Sequence, residues 1–311
     1  LQSMVGNIQE MPPWMRVHIL SFCMKVSKEE TYAVMLLDYI LQAPYDDVGE
    51  YNKLSHFWQI GTAQFLDQSL QTYAINIRMA RLYRELFNIF KASLGLKERN
   101  YFSWKERNDD LVFVFSAQVL GMAHAPTKTL LDRCYALKKY LKKEVVIINT
   151  AMQIPVKGQA PFYGLINATY ADGLSEIKQL EFKDETFEFH QCENKMPDLS
   201  IIKSIIEMVK ERKPEFILDI GGSDICADLC GLFAPQITIS TVFSKIAFSC
   251  GEYQMVDKIL SDEDKDELAI LGVNIRKVKK TTFTFSFKEQ THHYTREQLD
   301  LWKNKFILLV V

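Results

Sequence analysis

Several signatures that would identify a function at sight are missing from this sequence. It contains no G-x-G-x-x-G run and no Gly-Lys-Ser/Thr ending of a Walker loop, so neither a dinucleotide nor ATP has its usual fingerprint. Charge of one sign is not in excess: 37 basic residues face 39 acidic ones, for a formal net charge of -2. That balance argues against a nucleic-acid partner held mainly through phosphate neutralisation. The six cysteines include no Cys-x-x-Cys pair and are too scattered over 311 residues for a disulfide framework. A reducing, cytoplasmic setting is the simplest reading. No uncharged apolar run reaches membrane-spanning length, and the first residues lack a signal-peptide pattern. Solenoid-type repeats and low-complexity segments are absent too.

What is present is a chain rich enough in apolar residues, at 48%, to build a sizeable core, and long enough for two domains. Residues 1–108 read as an all-α domain. Ser27-Lys28-Glu29-Glu30 has the form of a capping box opening a helix. The longest helix is expected from about Thr62 to Leu94, carrying Leu66, Leu70, Tyr73, Ile77, Met79, Leu82, Leu86 and Phe90 at three-to-four spacing, with Gly95 as its terminator. From residue 109 the pattern changes. Residues 111–115, 144–149, 216–220 and 236–240 are short β-type runs separated by helical stretches, which calls for right-handed parallel crossovers. The expected fold class is therefore α/β, with a Rossmann-like, mainly parallel sheet over residues 109–303. Residues 162–192 alternate in a β manner and read as a small antiparallel insert, with a turn at Tyr170-Ala171-Asp172-Gly173. Residues 273–278 and 282–287 read as extended.

Chemistry is expected at the carboxyl ends of the parallel strands, where loops and helix starts converge. Three such ends carry small polar residues. The first includes Gly121, where backbone can approach a ligand, His124, which can move a proton near neutral pH, and Thr127 as a helix cap. A loop histidine bonded only to backbone is the plainer alternative. The second is Asp219-Ile220-Gly221-Gly222-Ser223-Asp224, whose glycines would let N–H groups face an anion or a sugar hydroxyl; a tight turn with a good cap is the alternative. The third contains Ser240 and Thr241, with Lys245 placed to face a phosphate or simply solvent. Asp224 and Asp228, four apart, suggest a cation site less readily than a cap and a surface carboxylate. Cys226 and Cys230 read as the buried side of a short helix, and His292-His293 lacks neighbouring ligands for a metal.

The order of strand, loop with Gly121 and His124, helix and strand, followed by Asp219-Ile220-Gly221-Gly222-Ser223, resembles the N-terminal half of GT-B glycosyltransferases. The resemblance covers residues 111–311. The helical part is similar to N-terminal extensions of some bacterial protein or polysaccharide glycosyltransferases. It implies transfer of a sugar from a nucleotide-sugar donor, a co-substrate rather than a cofactor, to a protein or glycan acceptor. On that basis His124 would be catalytic, and Gly121, Thr127, Gly221, Gly222, Ser223, Ser240 and Thr241 would bind substrate. Two other classes remain: a Rossmann-like binding or scaffold module without chemistry, and a nucleotide-dependent oxidoreductase or epimerase, which the missing dinucleotide fingerprint disfavours.

Residues 306–311, Phe-Ile-Leu-Leu-Val-Val, read as a fully buried strand. The expectation is that residues 304–311 begin a second Rossmann-like domain, entered through the linker-like residues 299–305; the plainer alternative is the last strand of this domain. The family's acidic donor-binding residues would then lie beyond Val311, and this polypeptide alone would not turn over substrate. Left uncovered, such a run would borrow a partner, either the first domain's own surface or a second copy of the chain.

Overall fold

Helices come first. In the computed structural model, which describes residues 5–43, 53–152, 170–193, 196–242, 245–282 and 293–300, the chain opens with α1 (Pro13–Ser27), α2 (Glu30–Gln42), α3 (Lys53–Leu66) and α4 (Tyr73–Ser93). The apolar spacing sets their buried sides: Ile75, Met79, Leu82, Leu86 and Phe90 of α4 are all buried. Gly95 closes α4 at φ 63, donating its N–H to the Ala92 carbonyl.

Two expectations about these helices fail for a shared reason. The helix expected from Thr62 to Leu94 is broken between Leu66 and Tyr73. There Asp67 accepts the Ser69 N–H, and the Thr72 hydroxyl accepts the Ile75 N–H as the cap of α4. Ser27 opens nothing; it ends α1, donating to the Cys23 carbonyl and accepting the Glu29 N–H, while Lys28 turns left-handed at φ 59. In both places short polar side chains compete with the helix for backbone groups. The expectations for residues 162–169, 283–287 and 304–311 fall outside the described residues, as does that for His292.

An eight-stranded sheet follows, ordered β3-β4-β2-β1-β5-β6-β7-β8. Its strands are β1 (Asn108–Ser116), β2 (Glu144–Asn149), β3 (Gln179–Phe182), β4 (Glu185–Gln191), β5 (Pro214–Ile220), β6 (Gln236–Ile239), β7 (Tyr253–Val256) and β8 (Val278–Lys280). Every pairing is parallel except β3 with β4. β3 and β4 form the antiparallel hairpin expected there. β4 lies parallel to β2, so the hairpin extends the main sheet at one edge. Residues 275–277 make a 3-10 turn rather than extended chain, because the Asn274 side chain accepts the Arg276 N–H.

Side chains alternate across the sheet as a two-residue period requires. Val112, Val114, Val145, Ile147, Leu218 and Ile220 lie under α5 (Ala125–Leu141) through Leu130, Leu131, Cys134 and Leu137. On the opposite face, Phe113, Phe115, Val146, Ile148 and Ile217 share one apolar core with α6 (Leu199–Arg212), α7 (Ile225–Cys230) and helices α1–α4. Burial of each such large side chain is worth about 1.5–3 kcal/mol. α8 (Asp262–Leu271) packs against α4, and the Arg84 guanidinium donates to the Leu271 carbonyl. No helix among the described residues is long and apolar enough to cross a membrane.

Candidate functional site

The strand order creates a reversal at the centre of the sheet. From β1 the chain passes through α5 to β2 on one side; from β5 it passes through α7 to β6 on the other. The two crossover helices cover opposite faces, so the loops after β1 and β5 diverge and leave a crevice at the carboxyl ends. A cleft of about 480 Å³ opens there. Its floor is made by Ser116, Ala117 and Gln118 after β1, Ile220 to Ser223 after β5, and Ser240 to Val242 after β6. Its wall comes from α3, through Phe57, Trp58, Gly61 and Phe65, and from Ile246, Ala247 and Phe248.

His124 lines this cleft, together with Gly221, Gly222, Ser223, Ser240 and Thr241. Gly121 and Thr127 are not among its lining residues. Gly121 is exposed, and no atom lies within 4 Å of where a Cβ would sit. Thr127 does not cap α5 as expected. The helix begins at Ala125 with His124 at the cap position, which puts Thr127 inside the first turn. Its buried hydroxyl accepts the Leu120 N–H at 2.9 Å and lies 2.9 Å from His124 Nδ1. Thr127 thus ties the β1 loop to the imidazole. Burial draws the His124 pKa below its usual value, so the neutral ring prevails near neutral pH. When Nδ1 donates to Thr127, the Nε2 lone pair is left for a proton.

The glycine loop after β5 is locked from behind. Gly221, Gly222 and Ser223 have φ of 108, 71 and 59 in succession. The N–H of Gly221 donates to the Ile239 carbonyl, that of Ser223 to the Phe248 carbonyl, and that of Gly222 to the Asp219 carboxylate. A Cβ on Gly222 would lie 2.7 Å from Ala247 Cβ and 3.1 Å from the Phe248 oxygen. These N–H groups therefore hold the turn closed rather than facing a ligand.

Behind that loop sits a group of buried carboxylates. Asp224 caps α7 through the Ala227 N–H and accepts from Thr150 Oγ1 at 2.6 Å. Asp228, expected at the surface, is buried instead. It accepts from Tyr83 Oη, Ser249 Oγ, Gln236 Nε2 and the Cys250 N–H. Tyr83 comes from α4, so this carboxylate fastens the helices to the sheet. Burial raises the pKa of Asp219, Asp224 and Asp228, that of Asp224 to about 6. No group of three or more His, Cys, Asp or Glu among the described residues is arranged to hold a metal ion. Cys226 and Cys230 are buried, as expected.

No family model matches the chain. No curated protein matches it either. Among solved structures, a mutant of the O-GlcNAc transferase of Thermobaculum terrenum matches over 85% of this chain and 48% of its own, at 9% identity and a TM-score of 0.38. This chain thus spans about half the length of the one it matches. At that level the likeness carries no argument about function.

One part of the cleft, its wall on α3, was not read from sequence. The wall on α3 carries no chemical motif, although Phe57, Gly61 and Phe65 recur every four residues on one helix face. Phe65 and Leu66, both 69% exposed, form an apolar rim that only packing reveals. Lys245, expected to face either a phosphate or solvent, also lines the cleft. Burial lowers the pKa of its amine, with Glu267 opposing.

Proposed function

We propose that this chain is the acceptor-side part of a GT-B-type glycosyltransferase, moving a sugar from a nucleotide-sugar donor to a protein or glycan acceptor. One observation carries the reading: the cleft at the β1/β5 reversal brings the His124 imidazole and the Gly221-Gly222-Ser223 turn to one place, at the strand ends where ligands of parallel sheets gather. In the proposed reaction an acceptor hydroxyl oxygen bonds to the anomeric carbon of the donor sugar. The bond from that carbon to the nucleotide diphosphate breaks, and the diphosphate leaves with the electron pair. His124 takes the hydroxyl proton on Nε2, and Thr127 holds the ring from Nδ1. A histidine whose pKa lies below the ordinary value suits this role, because its base form is present at pH 7.

A binding module without chemistry is the second reading. It draws support from the β5 loop, whose N–H groups are already committed within the turn. Turnover separates the two. The longest natural polypeptide that carries this chain is offered a panel of nucleotide sugars with peptide and glycan acceptors, and products are followed by mass spectrometry. Glycosylated product or released nucleotide diphosphate is expected. A folded polypeptide that consumes no donor in the panel would leave the binding module as the better account.

A further inference from the structure

The described lining of the cleft carries one positive charge, that of Lys245, and no negative one. Two basic side chains line it, His124 and Lys245, and no Asp or Glu is found among its described lining residues. Lys245 makes no ion pair or hydrogen bond through its amine among the described residues. Lys53, Lys143, Lys258 and Lys277, by contrast, each reach a carboxylate. The Glu267 carboxylate acts on this amine only from beyond ion-pair distance, and a half-buried amine without a direct carboxylate contact is costly to maintain unless something else supplies a counter-charge. Further donors line the same cleft. The hydroxyls of Ser223 and Thr241, on the loops after β5 and β6, have no partner among the described residues. Trp58 Nε1, in the α3 wall, is buried and also unpartnered.

We propose that this cleft binds the phosphoryl group of a small ligand, with Lys245 supplying the counter-charge and Ser223 and Thr241 the neutral donors. Several separate donors around one point charge suit a phosphoryl group, which offers three or more oxygens in different directions. A carboxylate would be better matched by a single planar fork. The wall of Phe57, Trp58, Phe65 and Phe248 suits a flat or apolar remainder of the same ligand. The inference deepens the glycosyl-transfer reading and rests on it only for the ligand's source. The phosphoryl group belongs either to a phosphorylated acceptor or to the donor's diphosphate.

The test needs no variant at first. Lys245 acylation by acetic anhydride is followed by peptide mass spectrometry, alone and with millimolar pyrophosphate, glucose 6-phosphate, UDP or glucose. Protection by pyrophosphate and by at least one of the two phosphorylated compounds, with none from glucose, is expected. Glucose 6-phosphate alone of that pair would assign the phosphoryl group to the acceptor, and UDP alone to the donor. Calorimetric titration of Lys245→Met should then show about a ten-fold or greater loss of pyrophosphate affinity, the scale of one hydrogen bond to a charged group, with Lys245→Arg retaining most of it. Unchanged acylation with all three phosphates, or equal pyrophosphate affinity in folded Lys245→Met, would overturn the proposal. Protection in a polypeptide that transfers no sugar would leave the phosphoryl site standing and remove the transferase reading. Transfer with an unprotected Lys245 would do the reverse.

Discussion

Two loops leave the adjacent strands β1 and β5 into one cleft, and they are built in opposite ways. The β5 loop takes three left-handed residues in a row, spends its N–H groups on the Ile239 and Phe248 carbonyls and the Asp219 carboxylate, and leaves no room for a Cβ at Gly222. The β1 loop leaves Gly121 exposed with open space around it; side chains hold only its stem, where Asn149 Oδ1 accepts the Val119 N–H and the Thr127 hydroxyl accepts the Leu120 N–H and meets the His124 ring. Glycine therefore means different things in the two places. In the β5 loop it is required by the backbone and marks a fixed floor. In the β1 loop nothing steric requires it, and the loop carries the group able to move a proton.

The largest effect is expected at the floor. Gly222→Ala must adopt φ near 71 and push against Ala247 and the Phe248 carbonyl, and should cost about 3 kcal/mol in urea denaturation. A loss below about 1 kcal/mol would mean that the turn can relax, and the contrast between the loops would weaken.

A middle-sized effect concerns the carboxylates behind the floor. Burial raises the folded-state pKa of Asp224 from 3.8 to about 6. The sign follows from linkage: a raised carboxyl stabilises fully below its unfolded pKa, and that stability is lost as pH rises through the folded value. Asp224→Asn, which stays neutral, should therefore gain on the parent in melting temperature between pH 4 and pH 7. A constant difference across that window would show that Asp224 does not titrate upward on folding.

The smallest effect is expected in the β1 loop. Gly121→Ala should change stability by no more than about 0.5 kcal/mol, since its Cβ would meet nothing. A larger loss would place hidden constraint in the loop described as open.

The fold class could be read in advance because the strands announce themselves. Leu111 to Phe115 and Val145 to Ile148 are unbroken apolar runs, each ended by a small polar residue, Ser116 and Asn149. β7 escaped because it is four residues long and buries Gln254, a poor strand signal. The break before α4 escaped because apolar spacing continues through Leu70 while Asp67 and Thr72 redirect the backbone. The site was half legible. Loop glycines and His124 stand out by position, but Asp228 is buried by a hydroxyl 145 residues earlier in the chain, and no local pattern encodes such a contact. The α3 wall and the isolation of Lys245 are likewise products of tertiary packing.

The most direct test of the account is the rate of glycosyl transfer by His124→Gln in the polypeptide that carries this chain, measured beside the parent and with melting temperatures matched. If the β1 loop holds the proton-accepting group, transfer should fall by about 100-fold with little change in acceptor KM. A folded His124→Gln that transfers sugar at the parent's rate would contradict it.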